Sequence, residues 1–142
     1  MNGEPSGSAR AEMDSLLDAL ITFAQQTLEK YGEFYPFAAA ITSGGELQMV
    51  GGETGDERPA SQEVLDTLYA GLGDQARRGE IRASGVCFDV RLRGADTDDA
   101  IQVSLEHSEG DPANVYLPYK RRRLRRLEYG ELFATPGDRR VF

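Results

Sequence analysis

The most restrictive feature of the chain is a set of three alternating segments in its second half. Apolar and polar side chains alternate over residues 81–92, 101–107 and 115–119. Alternation with a period of two places the apolar side chains on one face of a β-strand. Turn-forming residues at 94–99 and 108–112 separate the segments. The pattern therefore predicts three consecutive antiparallel strands.

The first of these strands changes phase along its length. Val86 and Phe88 share one face, whereas Ile81 and Ala83 are out of phase with them. One extra residue in a strand produces such a change, so we expect a β-bulge near Gly85.

Two segments with helical spacing precede the alternating strands. Apolar side chains recur three and four positions apart over residues 11–31, and Gly32 follows as a natural helix end. The same spacing recurs after Ser61, which is a suitable N-cap. Arg77 precedes the terminating Gly79 and would interact favourably with the helix dipole. We therefore predict two amphipathic helices.

A β-hairpin is predicted between the two helices. Residues 34–42 and 47–50 are mostly apolar, and residues 43–46 (SGGE) between them are typical of a tight turn. Pro36 lacks an N–H group and therefore marks a strand start or a sheet edge. The predicted order is α-β-β-α-β-β-β. We expect an α+β fold with an antiparallel sheet of about five strands and helices on one face.

The length and composition of the chain exclude several classes of protein. A chain of 142 residues suits one domain, which we place at residues 11–142 after a flexible N-terminal tail at 1–10. One cysteine and one histidine supply neither a disulfide framework nor a zinc tetrad, so we expect no metal and no cofactor. No run approaches the roughly 20 apolar residues of a membrane span. The first eight residues lack a secretory signal pattern, so we expect a cytoplasmic protein.

The element order resembles that of the roadblock and profilin-like folds, in which helices flank a five-stranded antiparallel sheet. The resemblance covers about residues 11–128 and concerns topology alone. It implies a fold, and no functional residue carries over from it. Residues 29–37 (EKYGEFYPF) also resemble segments of small bacterial proteins without an assigned activity. That second resemblance implies no activity for this chain.

Neither His107 nor Cys87 forms part of a recognisable catalytic motif. His107 is in phase with the apolar positions of its strand, so we interpret it as a partly buried residue near a turn. Cys87 shares a face with Arg91 and Arg93, which would lower its thiol pKa, but a structural thiol is the favoured interpretation. We assign no catalytic residue and lean toward a protein that is not an enzyme.

Two loops with suggestive compositions are interpreted as ordinary turns. Gly44-Gly45 and residues 51–55 are rich in glycine, but they lack the lysine of a phosphate-binding loop and have acidic neighbours. Residues 96–99 (DTDD) lack the glycine and the terminal glutamate of a calcium loop. We expect solvated carboxylates there.

The basic run at residues 120–126 is the least ordinary feature, since six of its seven residues are basic. Residues 1–119 contain 8 basic and 21 acidic residues (net −13), whereas residues 120–142 contain 8 basic and 3 acidic residues (net +5). A short basic helix is one interpretation of residues 118–128, and a solvated strand or loop is the other. The predicted partner-binding residues are Lys120, Arg121, Arg122, Arg123, Arg125, Arg126 and Tyr129.

Three uses of the basic run remain open. Its arginines match phosphate groups in geometry and charge. They also suit an acidic protein partner or a membrane surface. Alternatively they clamp the run onto the acidic body of the same chain or of a second subunit. We predict a non-enzymatic interaction or regulatory module that binds a protein partner or forms a homodimer. The alternatives are a nucleic-acid- or ribosome-associated factor, and a small-ligand binder or enzyme with a pocket between sheet and helices.

Overall fold

The computed structural model describes residues 5–51, 61–92, 99–122 and 126–142. Two helices and seven strands make up this part of the chain, and all seven strands belong to one sheet. The elements in chain order are α1 (Pro5–Tyr31), β1 (Phe37–Thr42), β2 (Leu47–Gly51), α2 (Ser61–Arg77), β3 (Ile81–Arg91), β4 (Asp99–His107), β5 (Gly110–Arg121), β6 (Leu127–Tyr129) and β7 (Phe133–Pro136).

The sheet is antiparallel, with strand order β2-β1-β3-β4-β5-β6. Strand β6 pairs with the end of β5, and β7 pairs with its beginning, so two short strands share one edge of β5. The α+β class and the predicted β1–β2 hairpin are confirmed. The described sheet has seven strands rather than about five, because the chain beyond residue 126 folds back onto β5.

The two helices cover opposite faces of the sheet, so the prediction of helices on one face was wrong. Ala39 and Ile41 of β1 belong to the core under α1, whereas Ala38 and Ala40 belong to the core under α2. The core under α1 extends across β3, β4 and β5, while the strand residues under α2 come from β1 and β3. Since β1 is apolar at successive positions, both of its faces must be covered.

The observed helices also differ from the predicted ones near both ends of the chain. α1 begins at Pro5, six residues before the predicted start, so residues 5–10 of the expected tail are helical. The predicted C-terminal basic helix is contradicted where the chain is described, because Lys120 and Arg121 end β5 and residues 127–129 form β6. The N–H and C=O groups along the outer edge of β5 are paired by these later residues. Neither described helix is long and apolar enough to cross a membrane.

The phase change in β3 lies before Gly85 rather than beside it. Ile41 pairs with Ala83, but the next residue, Thr42, pairs with Ile81. The register therefore shifts between these pairs, whereas pairing with β4 continues through Gly85 without a shift. This irregularity lets Ile81 join the core under α2 while Ala83 joins the core under α1.

Candidate interaction site

The basic run lies at the β5–β6 turn, beside the C-terminal end of α1. Lys120 and Arg121 are the last residues of β5, and Arg122 and Arg126 flank the turn. The backbone N–H of Arg122 donates to the carbonyl of Arg126 at 2.7 Å, which closes the described part of the hairpin. Four of the predicted cations are thus brought to one end of the molecule. The predicted residues that lie outside the described part of the chain are Arg123 and Arg125.

Arg121 links the basic run to α1. Its guanidinium donates a hydrogen bond to the carbonyl of Gly32, the residue that follows the helix. It also lies 5.9 Å from the centre of the Tyr119 ring. Carbonyl groups at a helix C-terminus lack partners within the helix and carry partial negative charge, so a cation there is stabilising. Arg121 therefore fastens the end of β5 to the C-terminal end of α1, and the three uses left open for the basic run stay predictions.

Arg122 and Tyr129 also make contacts within the chain. Nε of Arg122 lies 2.8 Å from Oε2 of Glu128, which lowers the pKa of that carboxyl. Both side chains are more than half exposed, so the ion pair contributes little stability. The Tyr129 hydroxyl lies 3.4 Å from Glu29 Oε1, and burial together with this carboxylate raises the pKa of Tyr129 to about 12. Tyr129 therefore helps hold β6 against α1.

A groove of about 360 Å³ lies between the last turn of α1 and the β5–β6 turn. Residues 28–32 line one side, including the carboxylate of Glu29 and the ammonium of Lys30, and Arg121 and Arg122 line the other. The Tyr31 side chain is 67% exposed, and the Lys30 ammonium lies 5.2 Å from its ring centre. Exposed tyrosine beside cationic side chains is typical of protein interfaces. Lys30 and Tyr31 were not predicted from the sequence, because helical spacing does not show that the last turn of α1 lies beside the β5–β6 turn.

Tyr119 anchors the end of β5 from behind this groove. It is almost completely buried, and its hydroxyl donates to Asp89 Oδ1 at 2.7 Å. Burial raises the pKa of both groups, while the hydrogen bond from the hydroxyl opposes the shift at Asp89. The strand that carries the basic run is therefore held to β3 by a hydrogen bond between the buried Tyr119 and the exposed Asp89 at the margin of the core.

His107 is buried in a polar network next to the β4–β5 turn, in agreement with its predicted placement. Its Nε2 lies 2.8 Å from Glu12 Oε1, and its Nδ1 accepts the Glu109 backbone N–H at 3.0 Å. Because Nδ1 accepts, the proton of the neutral ring is on Nε2 and is donated to Glu12. Nε of Arg82 donates to both oxygens of the same carboxylate. Glu12 thus joins α1 to β3 and β4, and both imidazole nitrogens are engaged.

Glu12→Gln is expected to lower the free energy of unfolding at neutral pH but not in strong acid. The hydrogen bond from Arg82 lowers the pKa of Glu12 from its ordinary value of 4.5. A carboxyl group whose pKa is lower in the folded state than in the unfolded state contributes its full stabilisation at pH values above the unfolded-state pKa. This contribution disappears as the pH falls through the folded-state pKa. Urea unfolding between about pH 3 and pH 8 should show curves that converge in acid.

The exposed helix carboxyl of Asp18 provides a control for this experiment. Asp18→Asn should leave the dependence of unfolding on pH close to that of the original chain. A difference between Glu12→Gln and the original chain that stayed constant from neutral pH into acid would contradict the assigned role of Glu12.

Cys87 is enclosed in the core under α1. Burial and the nearby Asp89 raise the pKa of its thiol, so the expectation that neighbouring arginines would lower it was wrong. Arg91 instead lies 3.7 Å from Asp99 and points largely into solvent. Arg93 lies outside the described residues. A buried, protonated thiol is a poor nucleophile.

The two suggestive loops are only partly described. Gly44 and Gly45 lie in the β1–β2 turn as predicted, and Gly45 has a φ of +91° that suits glycine. Most of the glycine-rich segment, residues 52–55, and most of the acidic segment, residues 96–98, lie outside the described part. Asp99 begins β4. Within the four described ranges, no three His, Cys, Asp or Glu side chains form a group that could hold a metal ion.

A small cavity lies between α2, the sheet and the C-terminal segment. Its volume of about 130 Å³ is below the roughly 300–1,000 Å³ of usual ligand pockets. A row of hydrogen bonds from Gln102 to Ser104 to Asn114 crosses its floor. The alternative of a small-ligand binder or enzyme therefore has limited support on this face. The remaining lining residues are Tyr69, Phe88, Asp138 and Arg140.

Glu106 is a buried carboxylate that the sequence analysis did not single out. It accepts hydrogen bonds from the backbone N–H groups of Arg140, Val141 and Phe142 over distances of 2.9–3.3 Å. Val141 is buried under α2, and the Arg140 guanidinium lies 3.7 Å from the centre of the Tyr69 ring. The alternation of the strand placed Glu106 on a polar face. No local sequence pattern indicates that the backbone N–H groups of residues 140–142 bind its carboxylate.

Comparison with known proteins identifies no relative of this chain. No family model matches it, and neither a curated protein nor a solved structure is similar enough to match. The resemblance to the roadblock and profilin-like folds therefore stays a prediction.

Proposed function

We propose that this chain is a non-enzymatic cytoplasmic interaction module that binds an acidic protein segment. The binding site in this proposal is the groove between the end of α1 and the β5–β6 turn. The observation that carries the proposal is the exposed Tyr31 ring, which stands beside Lys30 in a groove that also contains Arg121 and Arg122. Tyrosine and arginine are the residues that most often dominate binding energy at protein interfaces.

The charge distribution supports an acidic partner. The first 119 residues have a net charge of −13, so most of the surface repels an acidic segment. Three exposed cations lie where α1 ends beside the β5–β6 turn and attract such a segment: Lys30, Lys120 and Arg126. Complementary potentials of this kind increase the association rate and orient the partner before contact. The charge asymmetry therefore favours one docking orientation.

Protein is a better partner for this groove than nucleic acid. Glu29 and Glu128 lie on the same surface as the cations, and Glu128 neutralises Arg122. Phosphate backbones carry a charge on every nucleotide and favour continuous positive surfaces, which these carboxylates interrupt, whereas a protein segment can place uncharged side chains opposite Glu29 and Glu128. Leu28 is buried in the core under α1, so the exposed Tyr31 ring supplies the apolar surface that suits a peptide side chain. The mixture of charges and apolar surface therefore supports a protein segment.

Binding of a fluorescent peptide rich in glutamate, with one central phenylalanine, tests this proposal by anisotropy. We expect Tyr31→Ala and Arg126→Gln each to weaken binding by about tenfold, which corresponds to about 1.4 kcal/mol. Arg77→Gln is the matched control, because it removes one exposed arginine at the end of α2, on the other face of the sheet. This variant should bind the peptide as the original chain does.

A single-stranded RNA of about 20 nucleotides distinguishes the nucleic-acid alternative in the same assay. Tighter binding of RNA than of peptide, with a steep loss of affinity on adding salt, would replace the proposal by that alternative. Absence of peptide binding at low salt, or equal binding by all variants, would contradict it directly.

A further inference from the structure

The outer edge of β2 pairs with no strand in the described part of the chain. β2 is the terminal strand on its side, and within the described residues only β1 pairs with it. The strand reads LQMVG and contains neither a charged residue nor a proline. Natural sheet edges usually carry such residues, or are covered, because an open edge pairs with other chains. β2 therefore lacks both of the residue types, charged residues and proline, that usually protect a sheet edge.

The backbone groups that β2 directs outward are arranged symmetrically about Met49. The Thr42 N–H donates to the Glu46 carbonyl, so this pair is a hydrogen-bonded pair of the hairpin. Hydrogen-bonded and non-hydrogen-bonded pairs alternate along an antiparallel ladder. Leu47, Met49 and Gly51 therefore direct their N–H and C=O groups away from β1. Met49 is the middle residue of these three.

An exposed apolar patch continues this edge onto the face covered by α1. Leu47 and Met49 are 39% and 49% exposed, and they lie opposite β1 residues that belong to the core under α1. Phe23 of α1 is 47% exposed and packs on Phe37 with ring centres 4.8 Å apart. Phe37 in turn pairs with the last residue of β2. The open edge and the patch therefore form one surface, which we call the β2 edge.

We propose that the β2 edge binds a second copy of this chain by antiparallel pairing of the two β2 strands. A two-fold axis through Met49 places Met49 opposite its equivalent and Leu47 opposite Gly51 of the second copy. All outward backbone groups are then paired, which gives about six hydrogen bonds. An axis perpendicular to the sheet keeps both α1 helices on the same side, so the two apolar patches meet.

The β2 edge is the surface on which a second copy meets little electrostatic repulsion. The chain has a net charge of −8, so two copies repel each other over most of their surfaces. β2 is uncharged, and a contact centred on Met49 brings together neutral, self-complementary surfaces. The β2 edge is separate from the proposed peptide groove, because β2 and β6 lie at opposite ends of the strand order. A dimer thus leaves both grooves accessible.

Sedimentation of the full chain with substitutions at Met49 tests the proposal. Met49→Arg puts like charges opposite each other at the axis, which should raise the dimer dissociation constant at least about 100-fold. Met49→Pro removes an outward N–H and should also give a monomer with an unchanged circular dichroism spectrum. Gln48→Arg is the control, because its side chain lies on the other face of β2, and it should remain dimeric.

Disulfide formation locates the contact independently. A cysteine at position 49 would face its equivalent at about 5.5 Å between Cα atoms, which is within disulfide range. We expect Met49→Cys to form a covalent dimer under mild oxidation, and the original chain, whose Cys87 is buried, to form none. A monomeric original chain at about 200 µM would overturn the proposal. Dimers that persist in both Met49→Arg and Met49→Pro would also overturn it.

Discussion

Glu106→Ala is expected to lower the free energy of unfolding by about 2–4 kcal/mol, because three backbone N–H groups lose their acceptor. Those groups belong to Arg140, Val141 and Phe142, which the Glu106 carboxylate holds against the sheet. The buried Val141 side chain should leave the core when these hydrogen bonds are lost. Urea unfolding measures the change, and faster tryptic cleavage after Arg139 would report release of the segment.

Glu109→Ala provides the matched control for Glu106. It removes a carboxylate three residues away on an exposed side chain and keeps the backbone N–H that His107 accepts. We expect its stability to stay within about 0.5 kcal/mol of the original chain. If Glu106→Ala had an equally small effect, the C-terminal segment would be held by its side chains rather than by the Glu106 carboxylate.

Gly85→Ala is expected to destabilise the fold by about 1–3 kcal/mol through overpacking between α1 and the sheet. A Cβ atom at this position would lie 2.5 Å from Leu20 Cδ1 and 3.1 Å from Leu105 Cδ2. Both atoms are ends of leucine side chains in a filled core, so they must rotate or push α1 outward. Thermal unfolding should show a lower Tm, and Gly85→Val should lower it further.

A double variant separates this steric effect from a change in strand propensity. Leu20→Ala alone should cost about 2–5 kcal/mol by leaving a cavity. Combined with Gly85→Ala it should cost less than the sum, because the new methyl group occupies part of that cavity. Gly71→Ala is a control in open space on α2, where it should raise stability by up to about 1 kcal/mol. Additive losses in the double variant would contradict the steric explanation.

Local periodicity was sufficient to predict both helices and the main strands, because each pattern depends on neighbours within one element. It did not show that the helices lie on opposite faces. The relevant signal was present in β1, where Ala38 and Ala40 are as apolar as Ala39 and Ile41. A strand with no polar face needs cover on both sides. The two apolar faces of β1 therefore predict one helix on each face of the sheet.

The candidate site was predictable only in part, since its contacts join residues distant in sequence. The charge of residues 120–126 marked the segment, but charge alone does not show that Arg121 meets Gly32 at the end of α1. Lys30 and Tyr31 become part of the surface only because α1 ends beside the β5–β6 turn. The same reason explains why the contact between Glu106 and Val141 was missed.

The attachment of α1 at two separate points has a consequence for how the molecule opens. Glu12 ties the first half of the helix to β3 and β4, and the carbonyl of Gly32 ties its end to β5 through Arg121. Fraying cannot pass Glu12 from one end, or Gly32 from the other, without breaking a polar contact to the sheet. α1 and the central strands should therefore form one cooperative unfolding unit, whereas α2, which packs on β1 and β3, can detach in a smaller and less costly fluctuation.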